Sequence, residues 1–209
     1  MMRAWLPQPH ADYFAKVKDD VETLGTVYEG AKLGWVVPAY VPEDMISSIE
    51  DLSKDEVKEK LDNTIQGIDP GAGLTRLSQQ ALKDYGMEDY DLQISSEAGM
   101  LTTVDRAFRS EDWFVATSWS PHWMFGKYDI RYIDDPKQSL GEAEHVDILA
   151  RKGFKEENPK VAGFLSRMKL PISDLEAGMF DAQETSYEEA VEKYIKDHPD
   201  QIKAWVSEG

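Results

Sequence analysis

From Thr64 to Ser120 the chain alternates short apolar runs with amphipathic stretches, in the order strand, helix, strand, helix, strand. The run "TIQ" leads into a Gly/Pro turn, "GIDPGAG". After it, Leu74, Leu77, Ala81, Leu82 and Tyr85 recur at helical spacing, and Gly86 ends the helix. "DLQIS" reads as a strand. Met100, Leu101, Val104 and Phe108 mark the apolar side of a second helix, and "WFVATS" is a buried strand. Strands separated by helices pair in parallel through right-handed crossovers, so the expected fold class is α/β around a parallel sheet.

The flanking segments extend this frame. Tyr13, Val17 and Leu24 fall on one side of an expected helix, followed by a strand from Leu33 to Val37 that stops at Pro38. Pro42 to Asn63 is acidic and punctuated, with Ser47 or Ser48 placed to cap a short helix. It reads as a connector between lobes rather than a core element. "HVDILA" (145–150) is a further strand. Beyond it, Asn158 caps and Pro159 opens a helix with Val161, Phe164, Leu165 and Met168 on one face. Ser186 and Glu189 form a capping-box pattern ahead of Ala190, Val191, Tyr194 and Ile195. Pro199 breaks that helix, and Trp205 with Val206 is expected to pack the last turn onto the core.

Composition removes several functional classes. A net charge of −17 over 209 residues argues against nucleic acid and against an anionic membrane surface, both of which select basic proteins. The chain has no cysteine, hence no disulfide, thiol chemistry or thiolate metal site. No apolar run reaches the ~18–20 residues a membrane span needs. No signal-peptide pattern opens the sequence. The four histidines are scattered, and no HExxH pair, GxSxG elbow or phosphate-binding loop is present. The sequence therefore supports neither an enzyme nor a metal or organic cofactor.

Two kinds of feature could bind a ligand. "GIDPGAG" (67–73) lies between a strand and a helix N-terminus, where free amides and the helix dipole can hold an anion. The same residues also make an ordinary strand-to-helix turn. Two tryptophan clusters, "AWLPQPH" at 4–10 and "TSWSPHWMF" at 117–125, set an indole beside a proline at an expected strand end. In open α/β sheets the ligand crevice lies beyond the carboxyl ends of the strands. Indole faces attract methylated ammonium groups, at about 0.5–2 kcal/mol per desolvated contact. Core packing is the alternative for any single tryptophan, and it is the expectation for Trp35, Trp113, Trp123 and Trp205.

Taken together, "GIDPGAG", "SWSPHWMFGKYDIRYIDDPK" and "AWLPQPH…GWVVPAYV" resemble the substrate-binding proteins of glycine betaine and proline betaine ABC importers. The resemblance runs through nearly the whole chain, including "ARKGF" and the C-terminal helices. It implies a two-lobed, type II periplasmic-binding-protein architecture that closes on its ligand, with no catalysis and no cofactor. Carried over by motif, Trp5 and Trp119 are two walls of a tryptophan cage. His10 is the carboxylate-binding histidine, and Gly67 and Ile68 supply backbone donors. The implied ligand is a compatible solute such as glycine betaine, proline betaine, carnitine or choline, delivered to a membrane permease outside the cytoplasm in osmoprotection. Residues 1–40 and 146–209 are expected to form the first lobe, and 41–145 the second.

The resemblance also implies a strand–helix–strand unit with a third cage tryptophan ahead of the "WLP" motif. Such a unit takes roughly 30 residues, and Trp5 has four before it here. The first lobe is thus expected to be incomplete, with a sheet edge open to a second copy in a simple or swapped homodimer. A non-binding remnant of the same fold is the alternative reading, and an enzyme on an α/β scaffold is a third.

Overall fold

The structure is a computed structural model in which residues 1–6 and 11–207 are described. In chain order the elements are β1 (Met2–Leu6), α1 (Ala11–Val17), β2 (Val21–Pro38), α2 (Asp55–Leu61), β3 (Thr64–Gln66), α3 (Gly73–Asp84), β4 (Asp91–Gln93), α4 (Glu97–Arg109), β5 (Val115–Ser120), α5 (Met124–Lys127), β6 (Ile130–Tyr132) and β7 (Glu144–Arg151). Five helices complete the chain: α6 (Phe154–Glu157), α7 (Pro159–Arg167), α8 (Ile172–Glu184), α9 (Tyr187–Asp197) and α10 (Pro199–Val206). They form two compact units. Unit 1 comprises 1–31, 120–126 and 143–209, and unit 2 comprises 32–119 and 127–142.

Unit 2 is the expected α/β body. Its short strands β4, β3 and β5 lie side by side and parallel, with Ile65 between Leu92 and Val115. β5 neighbours β2, whose end pairs antiparallel with β6. α3 and α4 form where the spacing predicts. Leu74, Ala81 and Leu82 of α3 and Met100 and Val104 of α4 are buried. Gly86 adopts φ +66° beyond α3, a left-handed geometry that glycine takes without Cβ strain.

The segment from Pro42 to Asn63 departs from expectation, for it is core and not a connector. Ile46, Ile49, Leu52 and Val57 are fully buried there, and Leu61 nearly so. Its acidic residues include structural ones. Ser48 caps a 3₁₀ turn over Ile49–Ser53, and the Asp51 carboxylate accepts from the Ser47 and Ser48 amides at 2.8 and 3.0 Å.

Unit 1 is built on three antiparallel strands, with β7 between β1 and the first part of β2. Leu24 belongs to β2 and not to a helix with Tyr13 and Val17. The strand slips register between Thr23 and Gly25, Thr26 and Tyr28, and Glu29 and Ala31. These irregularities break the period-2 alternation by which a strand is recognised. Leu24, Val27, Tyr28 and Ala31 pack with Val146, Ile148, Ala150, Ala162 and Leu165. α7 presses so close that a Cβ on Gly25 would lie 3.0 Å from the Ser166 Cα.

The C-terminal helices start and stop as the proline and serine signals predict. Ser186 caps α9 by accepting from the Glu189 amide at 3.1 Å, and Trp205 is buried. Asn158 sits at the N-cap of α7 without a side-chain cap bond. Val161 and Val206, expected on packed faces, are exposed, while Leu165 and Trp205 take the buried positions.

The unit boundaries also differ from the expected 1–40, 41–145 and 146–209. β2 runs unbroken for 18 residues and changes partner along its length, from β7 up to Ala31 to β6 from Val36. The division therefore falls inside a strand. Residues 120–126 belong to unit 1 because they pack on α8.

Candidate functional site

In unit 2, three of the expected binding residues share one edge of the sheet. Gly67 and Ile68 follow β3 directly, and Trp119 is the next-to-last residue of β5. The two strands are parallel neighbours, with Gln66 opposite Ala116. Their carboxyl ends therefore lie on the same side, where a ligand crevice forms in open α/β sheets. Ile68 is buried and Trp119 half-buried. Thr117, two residues before Trp119 on the same side of the strand, is fully buried. Among the described residues its hydroxyl has no hydrogen-bond partner.

The turn after β3 is tied to α3 by Thr75, a residue with no motif of its own in the sequence. The Thr75 hydroxyl, on α3, donates to the Asp69 carbonyl at 2.7 Å and approaches the Ile68 carbonyl at 3.3 Å. Both carbonyls are thereby turned toward the helix. The N-cap residue of α3 is Ala72, which has no side-chain cap to offer the first-turn amides. That is the electrostatic character an anion site requires. A hydroxyl in the first turn of a helix after a glycine-rich loop was the available signal.

Gly67 has a packing reason of its own. Its amide donates to the Gln93 carbonyl at 2.9 Å, continuing the ladder to β4. A Cβ there would meet Leu92 Cδ1 at 3.1 Å. Donation by Gly67 to a ligand would have to be shared with Gln93, whereas Ile68 is the next amide along the turn.

Trp5 stands in unit 1. It faces Val146 across β1 and β7, and Tyr28 faces Val146 from β2, so the three form one row. The Trp5 and Tyr28 rings meet edge to face with centroids 6.3 Å apart. Burial pushes the Tyr28 phenol up, opposed by Arg3 and by a hydrogen bond from the Trp5 indole. Tyr28 thus orients Trp5, a partnership hidden in the sequence because this part of β2 does not read as a strand. Both rings line a cavity of about 1060 Å³ in unit 1, together with Phe164, Met168, Tyr194 and Trp205. His10 lies outside the described residues.

Of the tryptophans expected to pack, Trp35 is fully buried and Trp205 nearly so. Trp113 and Trp123 are half-buried. The Lys60 ammonium lies 5.8 Å from the Trp113 ring centroid, and Trp123 stacks on His122 at 5.4 Å. His122 is buried, and its Nδ1 accepts from the Met124 amide at 3.1 Å. Among the described residues, no three His, Asp or Glu side chains cluster to hold a metal. No described helix is long and apolar enough to cross a membrane.

The profile of the OpuAC family, "Substrate binding domain of ABC-type glycine betaine transport system", matches residues 1–197. The glycine betaine/carnitine transport binding protein GbuC of Listeria monocytogenes is 38% identical over 157 residues, 74% of this chain and 52% of the relative. The chain thus spans about half the length of that relative. Among solved structures, lactococcal OpuAC, closed and complexed with glycine betaine, superimposes with a TM-score of 0.76 at 38% identity. The match covers 99% of this chain and 79% of that one. The ProX protein of Borrelia burgdorferi gives 0.71 at 33% identity, covering 98% of this chain and 77% of that one.

Proposed function

Because the chain belongs to the family of substrate-binding domains of ABC-type glycine betaine transport systems, we propose that it captures a betaine-like zwitterion for import. The ligand is a small quaternary-ammonium compatible solute, and it passes unchanged to the membrane permease of an ABC importer. The work is extracytoplasmic, as it is for relatives named as periplasmic, and serves osmoprotection. The family is one of substrate-binding domains and not of enzymes.

The observation that carries this reading is the shared edge in unit 2, where Gly67, Ile68 and Trp119 end adjacent parallel strands. A betaine needs two opposite environments. Its trimethylammonium has no N–H to donate, so a carboxylate partner would cost desolvation without gaining hydrogen bonds. Indole faces match its methyl surface and attract its charge. We assign those faces to Trp119 and Trp5. The ligand carboxylate needs donors, which the Ile68 amide, a shared Gly67 amide and His10 supply. Glycine betaine, proline betaine, carnitine and choline share a quaternary ammonium and differ in its substituents and beyond it.

Intrinsic fluorescence tests the reading. Glycine betaine should quench or shift tryptophan emission, and glycine, which lacks the methyl groups, should not. Trp119→Ala should weaken binding by about 0.5–2 kcal/mol, roughly 2- to 30-fold. Equal affinity of that variant and the parent would remove Trp119 from the cage. β1 is the terminal strand of its sheet, and we further propose that a second copy pairs along it. A concentration-independent monomer in light scattering would exclude that pairing.

A further inference from the structure

We propose that Glu176 on α8 is a positioning residue for ligand capture, fixing the chain immediately after Trp119 and with it the pose of that indole. The inference rests on the assignment of Trp119 to the cage. The chain leaves unit 2 after Trp119, runs through unit 1 as Ser120–Gly126, and returns at Lys127. Whatever holds those residues therefore holds the strand end that carries the indole.

α8 grips both ends of this excursion. At the entry, the Ser120 hydroxyl donates to Glu176 Oε1 at 2.7 Å, and the His122 amide donates to the same carboxylate. At the exit, a Cβ on Gly126 would lie 2.7 Å from the Phe180 Cβ and 3.1 Å from the Glu176 carbonyl oxygen. Only glycine lets the helix come this close. Between these points the excursion is braced internally. The Met124 amide donates to His122 Nδ1 at 3.1 Å, and the Gly126 amide to the Trp123 carbonyl at 3.0 Å. Met124 and His122 are buried. The segment can thus transmit a shift at Ser120 rather than absorb it.

α8 has no fully buried side chain, and it holds the excursion both by packing Phe180 against Gly126 and by the Glu176 carboxylate. Glu176 is half-buried, and burial pushes its carboxyl up from the usual range against the two hydrogen bonds. An apolar side chain would cover the same surface without that desolvation cost. What the carboxylate adds is direction, because two donors two residues apart, at Ser120 and His122, fix the backbone between them. A binding group must be held to within about 0.5 Å to act, and Ser120 is bonded directly to Trp119.

The test compares Glu176→Ala and Glu176→Gln with the parent protein, using glycine betaine titrations, melting temperature and Trp119 emission. The last is isolated as the difference from Trp119→Phe in each background. Glu176→Ala is expected to weaken glycine betaine by about tenfold, equivalent to about 1.4 kcal/mol. Glu176→Gln, which keeps an acceptor for Ser120, should return affinity to within about threefold of the parent. Trp119 emission should shift in the Ala variant without ligand and recover in the Gln variant. Unchanged Trp119 emission in Glu176→Ala would overturn the proposal whether or not ligand binds. So would equal affinity of that variant and the parent, or a Gln variant no better than Ala. If Glu176→Ala does not fold, Ser120→Ala removes one of the same bonds and should shift Trp119 emission in the same direction, and no shift overturns the proposal. A parent protein that ignores glycine betaine sinks the transport reading alone, because the ligand-free emission still decides the role of Glu176.

Discussion

Trp35→Phe isolates how the unit 2 core is held. Trp35 is fully buried near the C-terminal end of β2, and its indole Nε1–H donates to the Ser78 hydroxyl on α3 at 2.9 Å. Ser78 is also fully buried, so neither group has water to fall back on. Replacement by Phe removes roughly 40 Å³, which at about 24 cal/mol per Å³ of residual cavity costs about 1 kcal/mol. It also takes the indole donor from Ser78, a loss of about 1 kcal/mol. The expected destabilisation is about 2 kcal/mol, or a fall in melting temperature of roughly 4–8 °C for a chain of this size.

The second half of the cycle separates packing from hydrogen bonding. Ser78→Ala in the parent protein strands the buried indole N–H and should cost about 1 kcal/mol or more. In the Trp35→Phe background it removes a hydroxyl that has already lost that donor. There it should be neutral, or stabilising by about 0.5 kcal/mol through better helix propensity. Urea unfolding followed by far-UV circular dichroism on all four proteins gives the coupling directly. If Ser78→Ala costs the same in both backgrounds, the bond contributes nothing and the packing account alone survives.

Two further perturbations test the polar groups of unit 2. Thr117→Val replaces a buried hydroxyl without a hydrogen-bond partner among the described residues by an isosteric methyl. Thermal unfolding should show no loss, or a gain of about 1 kcal/mol, and a loss of that size would mean the hydroxyl is satisfied. For Asp51, burial works against the charge, but donors from Ser47, Lys54 and Ser48 outweigh it and bring the pKa down to about 2. That value lies below the ordinary one of about 4, so the stabilisation is complete above about pH 4 and is lost as pH falls through 2. Solvent screening leaves about 1 kcal/mol of the ~2.5 kcal/mol the shift alone would imply. The stability gap between the parent and Asp51→Asn should close across that window, and a gap constant from pH 5 to 2 would refute the assignment.

What the sequence made legible follows from where its signals were local. The strand–helix–strand–helix–strand stretch was readable because each element carried its own periodicity and its own stop, such as Gly86. Parallel pairing of those strands is enough to bring Gly67, Ile68 and Trp119 to one sheet edge. The type II periplasmic-binding-protein fold followed from motifs recurring in order, and the solved relatives share it. The end of β2 was read correctly as a strand from Leu33 to Val37, but its first part failed because three register shifts scatter its apolar residues, letting Leu24 fall at helical distance from Val17. The Pro42–Asn63 segment failed because five core residues are spaced among acids that themselves make caps. Thr75, Tyr28 and Glu176 were invisible for a different reason. Each acts on a residue distant from it in sequence or bent back by a turn, and no period encodes such a meeting.

The central claim is that indole faces hold a quaternary ammonium, and an isostere whose quaternary centre carries no charge tests it most directly. 3,3-Dimethylbutanoate keeps the carboxylate and the shape of glycine betaine but replaces the ammonium nitrogen by carbon. Titration calorimetry at about 0.15 M salt, where distant charges are screened within about 8 Å, compares the two ligands on one protein. Two ring faces at about 0.5–2 kcal/mol each predict that glycine betaine binds tighter by about 1–4 kcal/mol, at least fivefold. Equal affinities would mean that the pocket reads shape alone, and the tryptophan cage would have to be abandoned.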